Sequence, residues 1–98
     1  MAQEKEKVVT LDLTGCKNRL ELHERIRVAF DFPDFYGKNW DAFWDLIWSD
    51  CDAQRIVVIG EDTLPKNMER DREKVNEILY RFRDYWAQYD EKITIEIQ

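Results

Sequence analysis

Asp41 and Asp45 stand one helical turn apart inside PDFYGKNWDAFWDLIW (residues 33–48), with Trp44 and Trp48 set among them. Carboxylates at that spacing can share a hard cation, work with it on a hydrolysable substrate, or stand exposed to a cationic partner. Two ligands flanked by indoles make a weak cation site, because Ca²⁺ and Mg²⁺ surround themselves with about six or more oxygens. The single histidine, His23, lies between Leu20 and Ile26 at near-core spacing and reads as a packed residue. No Ser/His/Asp set, Gly-rich phosphate loop or HExxH motif is present. The residues therefore predict no catalytic group, no cofactor and no metal. Presentation to a partner remains, since aromatic anchors ringed by charge are the usual make-up of a binding hot spot.

The charge is unevenly spread. The 98 residues sum to −6, yet residues 31–52 alone hold six aspartates against Lys38, a net of −5. An acidic chain argues against nucleic-acid binding and against attraction to anionic membranes, both of which need basic surfaces. It suits a basic protein partner. Cys16 and Cys51 are isolated thiols without CxxC spacing, structural or incidental, which points to a reducing cytoplasm. The start, MAQEKEKVVTLDL, lacks an apolar h-region, and no later segment approaches ~18 unbroken apolar residues. Residues 1–7 read as a charged, frayed leader to one domain spanning 1–98.

Three runs must supply the scaffold. VVTLDL (8–13) and ITIEI (93–97) alternate apolar and polar, whereas RIVVIG (55–60) is apolar on both faces, as a central strand requires. Helical spacing puts Leu22, Ile26, Ala29 and Phe30 on one face of residues 18–30. It puts Val75, Ile78, Leu79, Phe82, Trp86 and Tyr89 along one stripe of residues 69–89. The charged runs RDREK (70–74) and RFR (81–83) read as a solvated face, and DTLPKN (62–67) carries no clear signal. Strands alternating with helices predict parallel pairing, and right-handed crossovers in the order 1-2-3 put every helix on one side. The fold class is a two-layer α/β domain.

Asn39 reads as an N-cap after the turn former Gly37, so a helix is expected from Trp40 to about Ser49. Trp40, Phe43, Trp44, Leu46 and Ile47 sweep out a broad apolar arc, of which Trp40 and Phe43 read as core. Trp44, Trp48, Asp41 and Asp45 form a second patch at its border. The patch does little for the helix: like charges at i, i+4 destabilise it, and Asp45 and Asp50 lie toward the end where the macrodipole favours cations. Local stability and sequence pulling apart mark a functional surface.

The run PDFYGKNWDAFWD closely resembles the signature of the barstar family, intracellular inhibitors of the secreted ribonuclease barnase. The short strand and helix at the start resemble that family too, as does the long helix leading into KITIEI (92–97). The resemblance implies a three-stranded parallel sheet in order 1-2-3 with helices on one side. It also implies an inhibitor, monomeric before complex formation, that pushes this helix and its preceding loop into the cationic active-site cleft of a ribonuclease. By position, Asp45 is the central phosphate mimic and Asp41 its companion. Phe35 is the stacking aromatic, without the hydroxyl usual there, and Tyr36 lies beside it. Trp44 is a contact aromatic, and Gly37 and Asn39 shape loop and cap. Asp84 corresponds to the family's acid on the last long helix after a one-residue adjustment. Trp48 replaces a small polar residue, and SDCD (49–52) replaces a stretch with a further aromatic, so the rim should suit a differently shaped partner. The rival readings are an acidic nucleic-acid mimic, or other binding module for a basic partner, and a small metal-dependent hydrolase using Asp41 and Asp45.

Overall fold

The computed structural model describes residues 7–98, apart from the side chain of Asp50. Three parallel strands, β1 (Val8–Asp12), β2 (Arg55–Ile59) and β3 (Thr94–Ile97), form one sheet in the order β1-β2-β3. Helix α1 (Arg19–Phe30) follows β1, α2 (Trp40–Asp50) leads into β2, and α3 (Glu69–Ala87) leads into β3. This is the expected two-layer α/β domain, with the helices packed on one side of the sheet. Residues 62–67 resolve into parts of two single 3₁₀ turns, Glu61–Thr63 and Lys66–Met68. No helix among the described residues is long and apolar enough to cross a membrane.

Register explains the core. Val9 pairs with Ile56 and Ile56 with Ile95; Leu11 pairs with Val58 and Val58 with Ile97. Each row points its side chains at the helices, where Leu22, Ile26 and Phe30 of α1 meet Phe43 and Ile47 of α2 and Val75, Ile78, Leu79 and Phe82 of α3. The opposite sheet face keeps Thr10 and Asp12 exposed and joins Arg55 to Glu96 at 2.8 Å. Val57 and Ile59 on that face are only half-buried, so β2 is apolar on both faces but sealed on one. In β3 every residue is half-buried, a softer alternation than the sequence implies, as befits an edge strand.

The outer edge of β1 is guarded. Arg25 donates to the backbone oxygens of Asp12 (3.0 Å) and Thr14 (2.7 Å), occupying acceptors that would otherwise invite another strand. Past the strand ends, Gly60 sits at φ +81°, and a Cβ there would lie 2.3 Å from the Thr14 nitrogen. Only glycine lets these two turns approach so closely.

Several expectations need correction. Of the leader, residues 1–6 lie outside the described residues, but Lys7 is not frayed: its N–H donates to Gln54 Oε1 and its carbonyl accepts from Gln54 and Arg55. Tyr89 is not in the core stripe, because α3 ends at Ala87 and leaves that ring 59% exposed. The charged face of α3 is not wholly solvated. Asp71 is buried and accepts from Arg19 at 2.8 Å, and Arg72 lies 4.0 Å from the buried carboxylate of Glu61. Cys16 and Cys51 are free thiols, buried and half-buried, and desolvation raises the pKa of both.

Candidate protein-binding site

The site begins where α1 stops. Asp31 takes the left-handed conformation (φ 56°), and the N–H groups of Asp31 and Phe32 bond back to the Val28 and Arg27 carbonyls at 3.2 and 2.9 Å. That double bond ends the helix and turns the chain sharply. A tight turn follows, closed by Tyr36 N–H on Pro33 C=O at 3.0 Å. Asn39 then caps α2: its Oδ1 accepts from Ala42 N–H at 2.8 Å, while its Nδ2 donates to Gly37 C=O at 3.2 Å. The residue with positive φ in this turn is Lys38 (φ 53°), not Gly37. Gly37 contributes room instead, since a Cβ there would sit 3.2 Å from Asn39 Nδ2 and 3.5 Å from Ala42.

Tyr36 is the one predicted site residue that the structure removes from the surface. It is 4% exposed, and its hydroxyl lies 2.7 Å from Nδ1 of the fully buried His23. The imidazole in turn sits 4.5 Å from the Trp40 ring, centroid to centroid. His23 is thus the packed residue its spacing predicts, and it braces the loop from beneath. Desolvation lowers its pKa to about 4, and burial pushes the Tyr36 phenol well above its usual range. Its Nε2 has no hydrogen-bond partner among the described residues. A neutral ring therefore leaves one nitrogen unpaired, whereas an imidazolium would bury a charge.

With Tyr36 turned inward, Phe35 is turned out and is 80% exposed. Salt bridges from Arg27 to Asp34 (3.2 Å) and from Lys38 to Glu24 (3.6 Å) tie the loop to α1. Asp41 and Asp45 are both exposed, and no hydrogen bond or ion pair engages either carboxylate among the described residues. Asp41 lies in the first turn of α2, where the macrodipole favours it; Asp45 lacks even that support.

Trp44 and Trp48 are half-buried and meet edge-on at 5.1 Å. Trp48 does more packing than the sequence suggests. Its ring packs against those of Tyr85, Trp86 and Phe82, with centroids 3.8, 5.8 and 6.0 Å away, clasping α2 to α3. A cleft of about 260 Å³ opens between the helices, lined by Trp44, Trp48, Arg81, Asp84, Tyr85 and Gln88. Asp84 is exposed, paired with Arg83 at 2.9 Å, and joins Trp44 and Trp48 in that cleft. Arg81 lies with its guanidinium carbon 4.8 Å over the Trp44 ring. Arg81, Tyr85 and Gln88 were missed by sequence reading, although their i, i+4, i+7 spacing with Asp84 between them marks one face of α3. No group of three or more His, Cys, Asp or Glu residues among those described is placed to hold a metal ion.

Comparison with known proteins settles the lineage. The pattern of the family described as "Barstar (barnase inhibitor)" matches residues 6–98. This chain belongs to the Barstar family. A Bacillus subtilis (strain 168) protein named "Putative ribonuclease inhibitor YrdF" is 39% identical to it over 51 residues. That match covers 52% of this chain and 56% of the relative, so it spans about half the length of each. In this Barstar chain the capped α2, the loop before it and the α3 edge together form one continuous candidate face, with Tyr36 as its buried support.

Proposed function

We propose that this protein is a non-catalytic inhibitor of a ribonuclease, which it blocks by setting α2 and the 33–39 loop into the enzyme's cationic active-site cleft. The observation that carries this reading is the pair of exposed, unpartnered carboxylates, Asp41 and Asp45, on a helix edge with half-buried indoles. Among the described residues no side chain pairs with either carboxylate, and like charges so placed weaken the helix that holds them. A cationic cleft supplies the missing partners. Asp45 is the central phosphate mimic, Asp41 supports it, and the exposed Phe35 ring stacks at the rim. Trp44 provides apolar contact beside the charges, and Asp84 extends the acidic face along α3.

Membership of a family described as barnase inhibitors supports the same reading, as does the name of the Bacillus relative. The protein acts as a monomer in the cytoplasm, shielding its own cell from a ribonuclease made there or from a rival's toxin. Inhibition of a barnase-type ribonuclease tests the reading. Asp45→Ala should weaken inhibition by roughly a hundredfold or more, as expected when one partner of a desolvated charge pair is lost. Glu96→Ala, on the sheet face opposite the helices where Glu96 pairs with Arg55 at 2.8 Å, should leave it unchanged. Equal inhibition by both variants would remove the acidic helix from the mechanism.

A further inference from the structure

Arg81 is the one residue of the α2–α3 cleft that runs against the inhibitor's charge logic. It is exposed, yet its guanidinium is held over the Trp44 indole rather than swinging free. Among the described residues no carboxylate or carbonyl accepts from it. The nearby acids on α3 are engaged elsewhere: Asp84 with Arg83 at 2.9 Å, and Glu77 with Lys74 at 3.4 Å. A guanidinium offers five N–H donors in a fixed fork, and stacking on an aromatic ring fixes its direction. Here that fork stands unused in a cleft shared with Asp84, over the ring of Trp44, which precedes Asp45 on α2.

Simple Coulomb attraction makes this residue a liability. A positive charge on an acidic face slows association with a cationic enzyme. It is useful only where the opposing surface supplies an acceptor. We propose that Arg81 recognises a carboxylate on the rim of the target ribonuclease's cationic cleft, making it a specificity determinant that admits enzymes with an acidic rim residue and rejects those with a basic one. The inference rests on the inhibitor reading above. It gives the face a two-part code: acids for the centre of the cleft and one stacked cation for its edge.

The two explanations of Arg81 predict opposite signs. The test takes the barnase-type ribonuclease that the unaltered protein inhibits most tightly from a panel of such enzymes. It compares Arg81→Glu, Arg81→Met and Arg81→Lys with Asp45→Ala. Arg81→Met keeps a long side chain over the indole but has no donor. Recognition of a carboxylate predicts that Arg81→Glu and Arg81→Met each weaken inhibition by about tenfold or more, with Arg81→Lys retaining part. If Arg81→Met and Arg81→Glu inhibit as well as or better than the unaltered protein while Asp45→Ala is impaired, Arg81 is a bystander. The proposal then falls and the inhibitor reading stands. Should no enzyme of the panel be inhibited, the inhibitor reading fails and takes this inference with it; should Asp45→Ala be unimpaired, the acidic helix leaves the mechanism and this inference goes with it.

Discussion

His23 and Tyr36 show how one buried hydrogen bond organises an exposed surface. The 2.7 Å contact joins α1 to the loop that presents Phe35, and the Trp40 ring closes over the imidazole at the start of α2. Tyr36→Phe keeps the ring but removes the hydroxyl, leaving Nδ1 of His23 buried and unpaired. The loss should be about 1–3 kcal/mol of unfolding free energy, read from the midpoint of a urea titration. At this scale the sequence is legible only in part. His23 reads correctly because helix α1 fixes which way its side chains face. Tyr36 does not, because a turn has no periodicity: of two adjacent aromatics, one had to go in, and nothing in the residue types says which. Lys38 misleads for a related reason. The positive φ falls on lysine rather than on the neighbouring glycine, since Gly37 is needed for close approach to the Asn39 cap.

Elements hold the face together through their ends and their shared aromatics. Asn39 ends the loop and starts α2 with a 2.8 Å side-chain bond to Ala42 N–H, so Asn39→Ala should cost about 1 kcal/mol by denaturant titration. The Trp48 ring lies between α2 and the Phe82, Tyr85 and Trp86 rings of α3. Trp48→Ala should therefore destabilise by about 2–3 kcal/mol, below the value for a fully buried aromatic because the ring is half-exposed. It should also blur the near-ultraviolet circular dichroism that such stacked rings produce. Gly60→Ala should do more damage than Gly15→Ala, although both residues have positive φ. At Gly15 nothing lies within 4 Å of the added carbon, whereas at Gly60 it would collide with Thr14. Strands, helices and caps were legible because hydrophobic period and capping chemistry act locally. The stacking of Arg81 on Trp44 was not: it depends on the relative placement of two helices, which no single segment encodes.

At the scale of the whole molecule, protons and charge set the working range. Burial holds His23 near 4, below its ordinary 6.5, so the unfolded chain binds more protons between those values. Stability should be complete above about pH 6.5 and fall as the medium is acidified toward 4, by roughly 3 kcal/mol at most. Burial raises Glu61 above its ordinary value, which works the other way. Urea midpoints between pH 4 and 7 should trace the decline. His23→Gln should flatten it; an unchanged slope would place the effect elsewhere. The net charge of −6 was legible from composition, as was its crowding into residues 31–52. What composition did not reveal is that the acids are sorted: Asp34 and Asp52 pair with Arg27 and Lys7, while Asp41 and Asp45 remain unspent.

Lys38 offers a last consequence. It occupies a left-handed backbone site that disfavours any residue with a Cβ by about 1–2 kcal/mol, and its ion pair with Glu24 is a loose surface contact at 3.6 Å. Lys38→Gly should relieve that torsional burden and, in the same stroke, strip the 31–52 segment of its lone cation. Thermal resilience and electrostatic reach, so often traded against each other, would here improve together, leaving this turn as unclaimed ground for an engineer.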